Sequence, residues 1–150
     1  MTTIARQSVR ATLKSLLDGF QAANPTLLRM TFSARPNGLG VELPGAFVGN
    51  LNEPNILHTS GVRQRNFATE IVLFDTFAPS NEEQAARLDI VLDALLDWFT
   101  AHADQIPGAI QAPHSVSDGE LTIQGTGNLP SVTYRALSIG IAATIQEGRN

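Results

Sequence analysis

A stretch of sixteen residues, SGVRQRNFATEIVLFD at positions 60–75, constrains the fold more than any other part of the chain. Its first half is polar and contains Arg63 and Arg65, whereas its second half, Ile71 to Phe74, is apolar. Read as one extended strand, it spans roughly 50 Å. A compact domain of 150 residues has a diameter of roughly 38 Å. The strand is therefore predicted to outrun the body of its own domain unless it bends.

The long strand is predicted to form the second half of a hairpin that covers about residues 46–75, with a turn near Thr59-Ser60-Gly61. Its apolar base is expected in the core, and its polar tip, from His58 to Asn66, is expected to project. A projecting hairpin with open backbone edges is an aggregation risk. We therefore expect a neighbouring subunit to cover the tip. The alternative is a solvated hairpin end without a role.

Two helices and several further strands complete the predicted fold. Residues 3–23 form an amphipathic helix, with Val9, Leu13, Leu16, Leu17 and Phe20 on one face. A second helix begins at the capping box Ser80-Asn81-Glu82-Glu83 and runs to about His102. Its buried face is predicted to contain Leu88, Val91, Leu92, Leu95, Leu96 and Phe99.

The remaining strands are short ones at Leu27–Ser33 and on either side of an Asp118-Gly119 turn, and a long one at residues 131–146. Leu137, Ile139, Ile141 and Ile145 share one face of the long strand, and the last five residues, QEGRN, are expected to fray. Helices do not alternate with single strands. We predict a single α+β domain over residues 1–150, with a mainly antiparallel or mixed sheet packed by two helices.

The composition points away from catalysis. The chain has no Cys, which excludes thiolate nucleophiles and disulfides, and its three His at positions 58, 102 and 114 show no metal-binding spacing. No phosphate-binding loop or nucleophile elbow is present. The net charge of −4 argues against general nucleic-acid binding. We expect no enzyme activity and no cofactor.

The chain lacks the apolar run of roughly 20 residues that a membrane span requires, and its first residues lack the apolar core of a signal peptide. We therefore expect no membrane contact and production in the cytosol, or assembly there into a particle.

Opposite charges are concentrated in two parts of the chain. Residues 1–40 carry a balance of +4, and residues 81–104 carry −5. Basic side chains recur every four residues on the first helix, and acidic ones do so on the second; they are Arg6, Arg10 and Lys14, and Asp89, Asp93 and Asp97. We predict that these stripes pair, within a subunit or between neighbours, and set orientation more than strength. The alternative is two solvated helix faces.

Three stretches carry a resemblance to a known family: TIARQSVRATLKSLLDGFQAANPTLL, SGVRQRNFATEIVLFDTFAPSNEEQAARLDIVLDALLDWFTA and the closing IQEGRN. The chain resembles the tail terminator, or tail completion, proteins of long-tailed bacteriophages, especially those of phages that infect high-GC actinobacteria. The similarity is one of layout and texture over about half of the chain. It contains no motif with chemical specificity.

The resemblance implies a structural protein of the virion, assembled in the host cytoplasm. Such proteins form a six-membered ring on the head-proximal end of the tail tube, which ends tube polymerisation and offers the surface that joins the head. The implied partners are further copies of the chain, the tail tube protein and a head-completion or neck protein, with DNA only as cargo passing through the lumen.

In such a ring, one patch of each subunit must fit a different patch of the next. The residues expected at that interface, or at the interface with the tube, are the three from the hairpin tip and the six of the charge stripes: His58, Arg63, Arg65, Arg6, Arg10, Lys14, Asp89, Asp93 and Asp97. Whether Arg63 and Arg65 face protein or DNA stays open. Two alternatives also stay open: a head-tail adaptor or minor tail protein, and a small-ligand binding module.

Overall fold

The computed structural model describes residues 5–37, 42–77, 82–102, 110–125 and 127–148. These residues form two helices and six strands. In chain order the elements are α1 (Ala5–Ala23), β1 (Met30–Phe32), β2 (Gly45–Val48), β3 (Asn52–Thr59), β4 (Val62–Thr76), α2 (Glu82–Ala101), β5 (Ser115–Ile123) and β6 (Val132–Gly148).

The six strands make one open sheet in the order β1-β2-β4-β6-β5, and β3 also pairs with β4. β2 pairs with the end of β4, at Ile71 to Phe74, while β3 pairs with its beginning, from Val62 to Ala68. Both therefore line the same side of the long strand, one after the other. Among the strand pairs of the described residues, only β1 and β2 run parallel. The predicted α+β fold, with a mainly antiparallel sheet packed by two helices, is confirmed.

Both helices pack on the same face of the sheet. Each does so through an apolar stripe, because its apolar residues recur every three or four positions. Phe20 of α1 meets Trp98 of α2 edge to face, with ring centroids 6.1 Å apart. Every second residue of the strands points towards the helices and completes this core, because successive side chains of a strand point to opposite faces of the sheet. The fully buried members include the helix residues Leu13, Leu17, Leu88, Val91 and Leu95 and the strand residues Ile71, Leu73, Ile139 and Ile141.

A second, smaller core lies on the opposite face of the sheet, around the ring of Phe74. The Phe47 and Tyr134 rings lie 5.9 Å and 5.6 Å from it, centroid to centroid. Gly45 is required beside it, because a Cβ there would lie 2.6 Å from the Phe74 ring. The cluster contains Phe47, Val72, Phe74, Leu121, Ile123, Tyr134 and Ala136. This second core was not predicted, because the apolar run of β4 does not by itself show which residues cover the second face of the sheet.

Two predictions near the end of the chain are wrong. Asp118 and Gly119 are no turn: both lie inside β5, opposite Leu137 and Ala136, because β6 is long enough to pair with the whole strand. The closing residues do not fray as far as the structure describes them, because β6 continues to Gly148, which pairs with Val62.

Other predicted boundaries fare differently. The strand expected at Leu27–Ser33 is only Met30–Phe32. The residues Ser80 and Asn81 of the capping box, and the predicted start of the first helix at residue 3, lie outside the described residues.

Candidate subunit interface

Three strands form what is here called the arm: β3, the first part of β4 (62–68) and the last part of β6 (142–148). Among its described residues Phe67 and Ala143 belong to the main core, and most of the others lie outside it. Every residue of β4, from Val62 to Thr76, pairs with β6. The turn at Ser60-Gly61 joins β3 to β4 directly after the Thr59–Val62 pair. Gly61 has a φ of 80°, which favours glycine there. The long hairpin predicted from the sequence is therefore part of a three-stranded unit, in which β4 is the central strand.

The third strand changes the expected exposure of the hairpin. The edge of β4 that a bare hairpin would leave open is covered by the chain's own last strand. The outer edge of β3 has no partner strand among the described residues. One of the two edges that we expected a neighbour to cover is thus closed within the subunit, and the other is open.

A chain of alternating charges crosses one face of the arm, from the start of α1 to the last strand. Arg6 donates to Glu53 at 2.7 Å, and Arg65 donates to the same carboxylate at 2.6 and 3.1 Å. Arg65 also donates to Glu147 at 3.2 Å, and Arg63 donates to Glu147 at 2.9 Å. The five side chains of this ion-pair chain come from four segments of the sequence and hold those segments together.

Hydrogen bonds from arginine side chains keep the carboxylate of Glu53 in its charged form. Those from Arg65, and then those from Arg6, lower the pKa of Glu53 to about 2 from an ordinary 4.5. The guanidinium of Arg65 lies 5.2 Å from the centre of the Phe67 ring, at the border of the main core. The polar beginning of β4 is thus explained within the subunit: Arg63 and Arg65 neutralise Glu53 and Glu147, and His58 lies opposite Arg63 on the edge strand.

The rest of the basic stripe on α1 is also occupied within the subunit. Arg10 donates to the backbone carbonyls of Ser33 at 2.7 Å and Val48 at 3.3 Å. Lys14 forms an ion pair with Asp18 at 2.7 Å and donates to the Thr31 hydroxyl at 3.0 Å. These contacts attach α1 to the edge of the sheet formed by β1 and β2.

The acidic stripe on α2 lies apart from the basic one. Asp89 forms an ion pair with Arg135 of β6 at 3.0 Å. Asp93 and Asp97 are exposed and have no ion pair within the described part of the chain. No ion pair between described residues joins the two stripes. The prediction that they pair within a subunit is wrong, because helical spacing shows which residues share a face but not which neighbour that face meets. Pairing between subunits stays a prediction.

Two apolar residues of the edge strand were missed as interface candidates. Ile56 is 46% exposed and Leu57 is 50% exposed. They are consecutive, so they point to opposite faces of the sheet. Ile56 lies opposite Arg65 on the face of the ion-pair chain, and Leu57 lies opposite Gln64 on the other face. Their signal in the sequence was two adjacent apolar residues within the polar run NEPNILHTSG.

An ion pair with a buried carboxylate and a half-exposed guanidinium, at the other end of β4, was missed as well. The Asp75 side chain is 1% exposed and accepts a hydrogen bond from the Nε of Arg87 at 2.6 Å. The backbone N–H of Thr76 donates to the same carboxylate at 2.7 Å. This pair ties the beginning of α2 to the end of β4. It lies far along the strand from the arm, so its part is structural.

Polar side chains line two adjoining cavities on the sheet face opposite the helices. Their volumes are about 270 and 310 Å³. Both are lined by Asn50, Glu70 and Ser138, and Arg10 and Arg35 line the first one. These volumes are at or below the lower limit of common small-ligand sites, which are also mostly apolar.

The described residues contain no group of three or more His, Asp or Glu side chains that could hold a metal ion. No helix among them has the length and apolar character to span a membrane. No protein-family model matches the chain, and no curated protein sequence matches it.

Proposed function

We propose that this chain is a structural protein of a long-tailed bacteriophage that caps the head-proximal end of the tail tube as a six-membered ring. In this role it ends polymerisation of the tube protein, offers the surface to which a head-completion or neck protein joins, and lets the DNA pass through its lumen. It carries out no catalysis and needs no cofactor. It is assembled in the host cytoplasm and stays in the virion.

The single observation that carries the proposal is the arm with its one open edge. The arm consists of three strands held together by five ion-paired side chains, and most of it lies outside the main core. That element ends in an edge strand with two half-exposed apolar side chains. An exposed strand edge of this kind promotes association with another chain. The sequence resemblance names a family whose members work as rings, and a ring needs such an element in every subunit.

The role of the stripes changes in this proposal. Arg6, Arg10 and Lys14 hold the subunit together, because each has a partner within it. Asp93 and Asp97 face outwards on α2 and are the stripe residues that a tube or neck protein could contact. His58, next to Ile56 and Leu57 on the edge strand, is the third candidate contact.

A head-tail adaptor or minor tail protein would use the same fold with another partner and is the nearest alternative. A small-ligand binding module is the second candidate function, and the two adjoining polar cavities favour it. Their lining by amides, hydroxyls and Glu70, with Arg10 and Arg35 in the first cavity, suits a small polar ligand.

The test begins with the mass of the purified protein, measured by light scattering over a concentration series and checked by negative-stain images. The protein is then mixed with polymerising tail tube protein from the same phage genome. We expect six-membered rings, alone or on tube ends, and tubes that stop growing when the protein is added. Tubes that grow unchanged and carry no bound protein would overturn the proposal.

The test variant removes the apolar side chains from the open edge and is designed to keep the fold. In the variant Ile56→Thr/Leu57→Thr, both changes place a β-branched side chain, which suits a strand, at the position and remove apolar surface. This variant should fail to cap tubes while unfolding at the temperature of the unchanged protein. Thermal stabilisation of the unchanged protein by one member of a panel of small polar metabolites, without any effect on tubes, would favour the binding module.

A further inference from the structure

The two apolar residues of β3 show where a partner must lie. Ile56 and Leu57 are consecutive and half exposed, on opposite faces of one edge strand. A partner that packs on one sheet face can cover only one of them. A partner that covers both must lie in the plane of the sheet, beside the edge itself. In that position it can also pair with the open backbone groups of β3.

The molecule has a second open edge, on the other side of the same sheet. β5 pairs with β6 on one side and has no partner strand on the other among the described residues. The side chain of Arg35 donates to the Thr122 carbonyl at the end of β5. The part left uncovered is residues 115–120, which are all exposed and include Val116 at 45%.

The charges around the two edges have opposite balances. The ion-pair chain beside β3 contains three guanidinium groups, Arg6, Arg63 and Arg65, and two carboxylates. The group beside β5 contains one guanidinium and three carboxylates: Arg135 with Asp89, Asp118 and Glu120. Two copies of β3 would bring similar charges together, whereas β3 and β5 bring opposite ones together.

The strand directions also fit this pairing. β3 and β6 both run antiparallel to β4, and β5 runs antiparallel to β6. β3 and β5 of one subunit therefore run in opposite directions. If the sheet of one subunit continues into that of the next, the strands that meet are antiparallel, which is the more stable arrangement.

The two edges lie at different heights along the sheet. β5 pairs with β6 from Val132 to Gly140, whereas the arm contains the part of β6 that follows. An edge-to-edge contact therefore shifts each subunit along the strands relative to the last. Closed sheets have such a shift, because their strands are tilted against the ring axis.

We infer that the open edge of β3 pairs antiparallel with residues 115–120 of β5 in a second copy of this chain, so that one sheet continues from subunit to subunit. The contact is heterologous, so its repetition gives a closed ring or a filament. This inference deepens the proposed function and rests on it only for the closure into a ring. It names the surface on each side of the subunit contact.

The test uses the absence of cysteine in the chain. Ile56 and Val116 lie on the same face of the continued sheet, since they pair with Arg65 and Ile139 of that face. Two single variants, Ile56→Cys and Val116→Cys, are purified separately, mixed at concentrations up to about 1 mM, and oxidised. A short bismaleimide covers a register that differs by two residues, for which diagonal side chains lie about 7–8 Å apart.

We expect a covalent dimer that contains one copy of each variant, and a ladder of larger products from the double variant. Each single variant alone should give no product above that of the control Ile90→Cys, whose position on α2 is 56% exposed. Thermal unfolding of each variant verifies that the fold is kept.

Two other results of the cross-linking experiment overturn the inference, and the capping assay separates it from the proposed function. A strong homodimer of Ile56→Cys alone would place two arms against each other around a twofold axis. No mixed product at any concentration, with or without rings, would exclude the β3–β5 contact. The mixed dimer without capping of tail tubes would leave the inference standing and remove the proposed function. Capping of tubes without the mixed dimer would do the reverse.

Discussion

In the proposed contact between subunits, the exposed halves of Ile56 and Leu57 should contribute a measurable free energy of association. Burying a whole Ile or Leu side chain contributes about 1.5–3 kcal/mol. The two side chains are 46% and 50% exposed, so about half of that is still available at each. Together they should contribute about 1.5–3 kcal/mol per contact between subunits, which corresponds to about 10- to 150-fold in the association constant.

The double variant Ile56→Thr/Leu57→Thr should therefore raise the concentration of half-assembly by about 10- to 150-fold. Sedimentation velocity over a concentration series measures this. The free energy of unfolding of the monomer should change less than that of association, because both side chains are half exposed and Thr is a good strand former.

The matched control, Ile90→Thr/Leu129→Thr, removes two apolar side chains that are each 56% exposed elsewhere. It should leave assembly unchanged. An equal shift in both variants, or no shift in the first, would refute the reasoning that the edge of β3 is the contact.

Three further predictions concern the ion pairs of the subunit. Arg87→Ala should lower the free energy of unfolding in urea by about 3 kcal/mol, because it leaves the carboxylate of Asp75 buried without its charge partner. The exposed Arg29→Ala should change it by less than about 0.5 kcal/mol; equal effects would contradict the account. Glu53 has a pKa lowered to about 2 in the folded chain, so its contribution to stability is present above about pH 4.5 and is lost as the pH falls toward 2. Glu53→Gln should flatten the stability profile in that window, and an unchanged slope would count against the ion-pair chain. Deletion of residues 147–150 removes the last carboxylate of the ion-pair chain. It should speed amide hydrogen exchange throughout the arm and leave exchange in the main core unchanged; uniform exchange rates across both would contradict this.

The elements of the fold were largely readable from the sequence because their causes are local. Apolar spacing marks both helix faces, as at Leu13 and Leu95, and the alternation of Leu137, Ile139 and Ile141 marks the inner face of β6. The turn after Thr59 is marked by a glycine with positive φ. Each of these signals lies within a few residues of the structure it determines.

The misses concern contacts between distant parts of the chain. The Asp118-Gly119 pair is a strong local turn signal, but β6 offers partners along the whole of β5 and its hydrogen bonds decide the outcome. Arg63 looked available because its carboxylate partner, Glu147, is 84 residues away. Local patterns show which contacts a side chain is able to make, but not which distant residue it contacts in the folded chain.

The pairing of β4 with β6 has a consequence for folding during synthesis of the protein. Paired residues of these strands are between about 58 and 86 residues apart in sequence. A growing polypeptide that still lacks β6 holds the hairpin without the strand that closes its second side. The segment 132–148 therefore has to be synthesised before the arm can form as the structure shows it. A chain cut short by a nonsense codon before β6 lacks this strand, and it should be a poor competitor in any assembly that requires the complete arm.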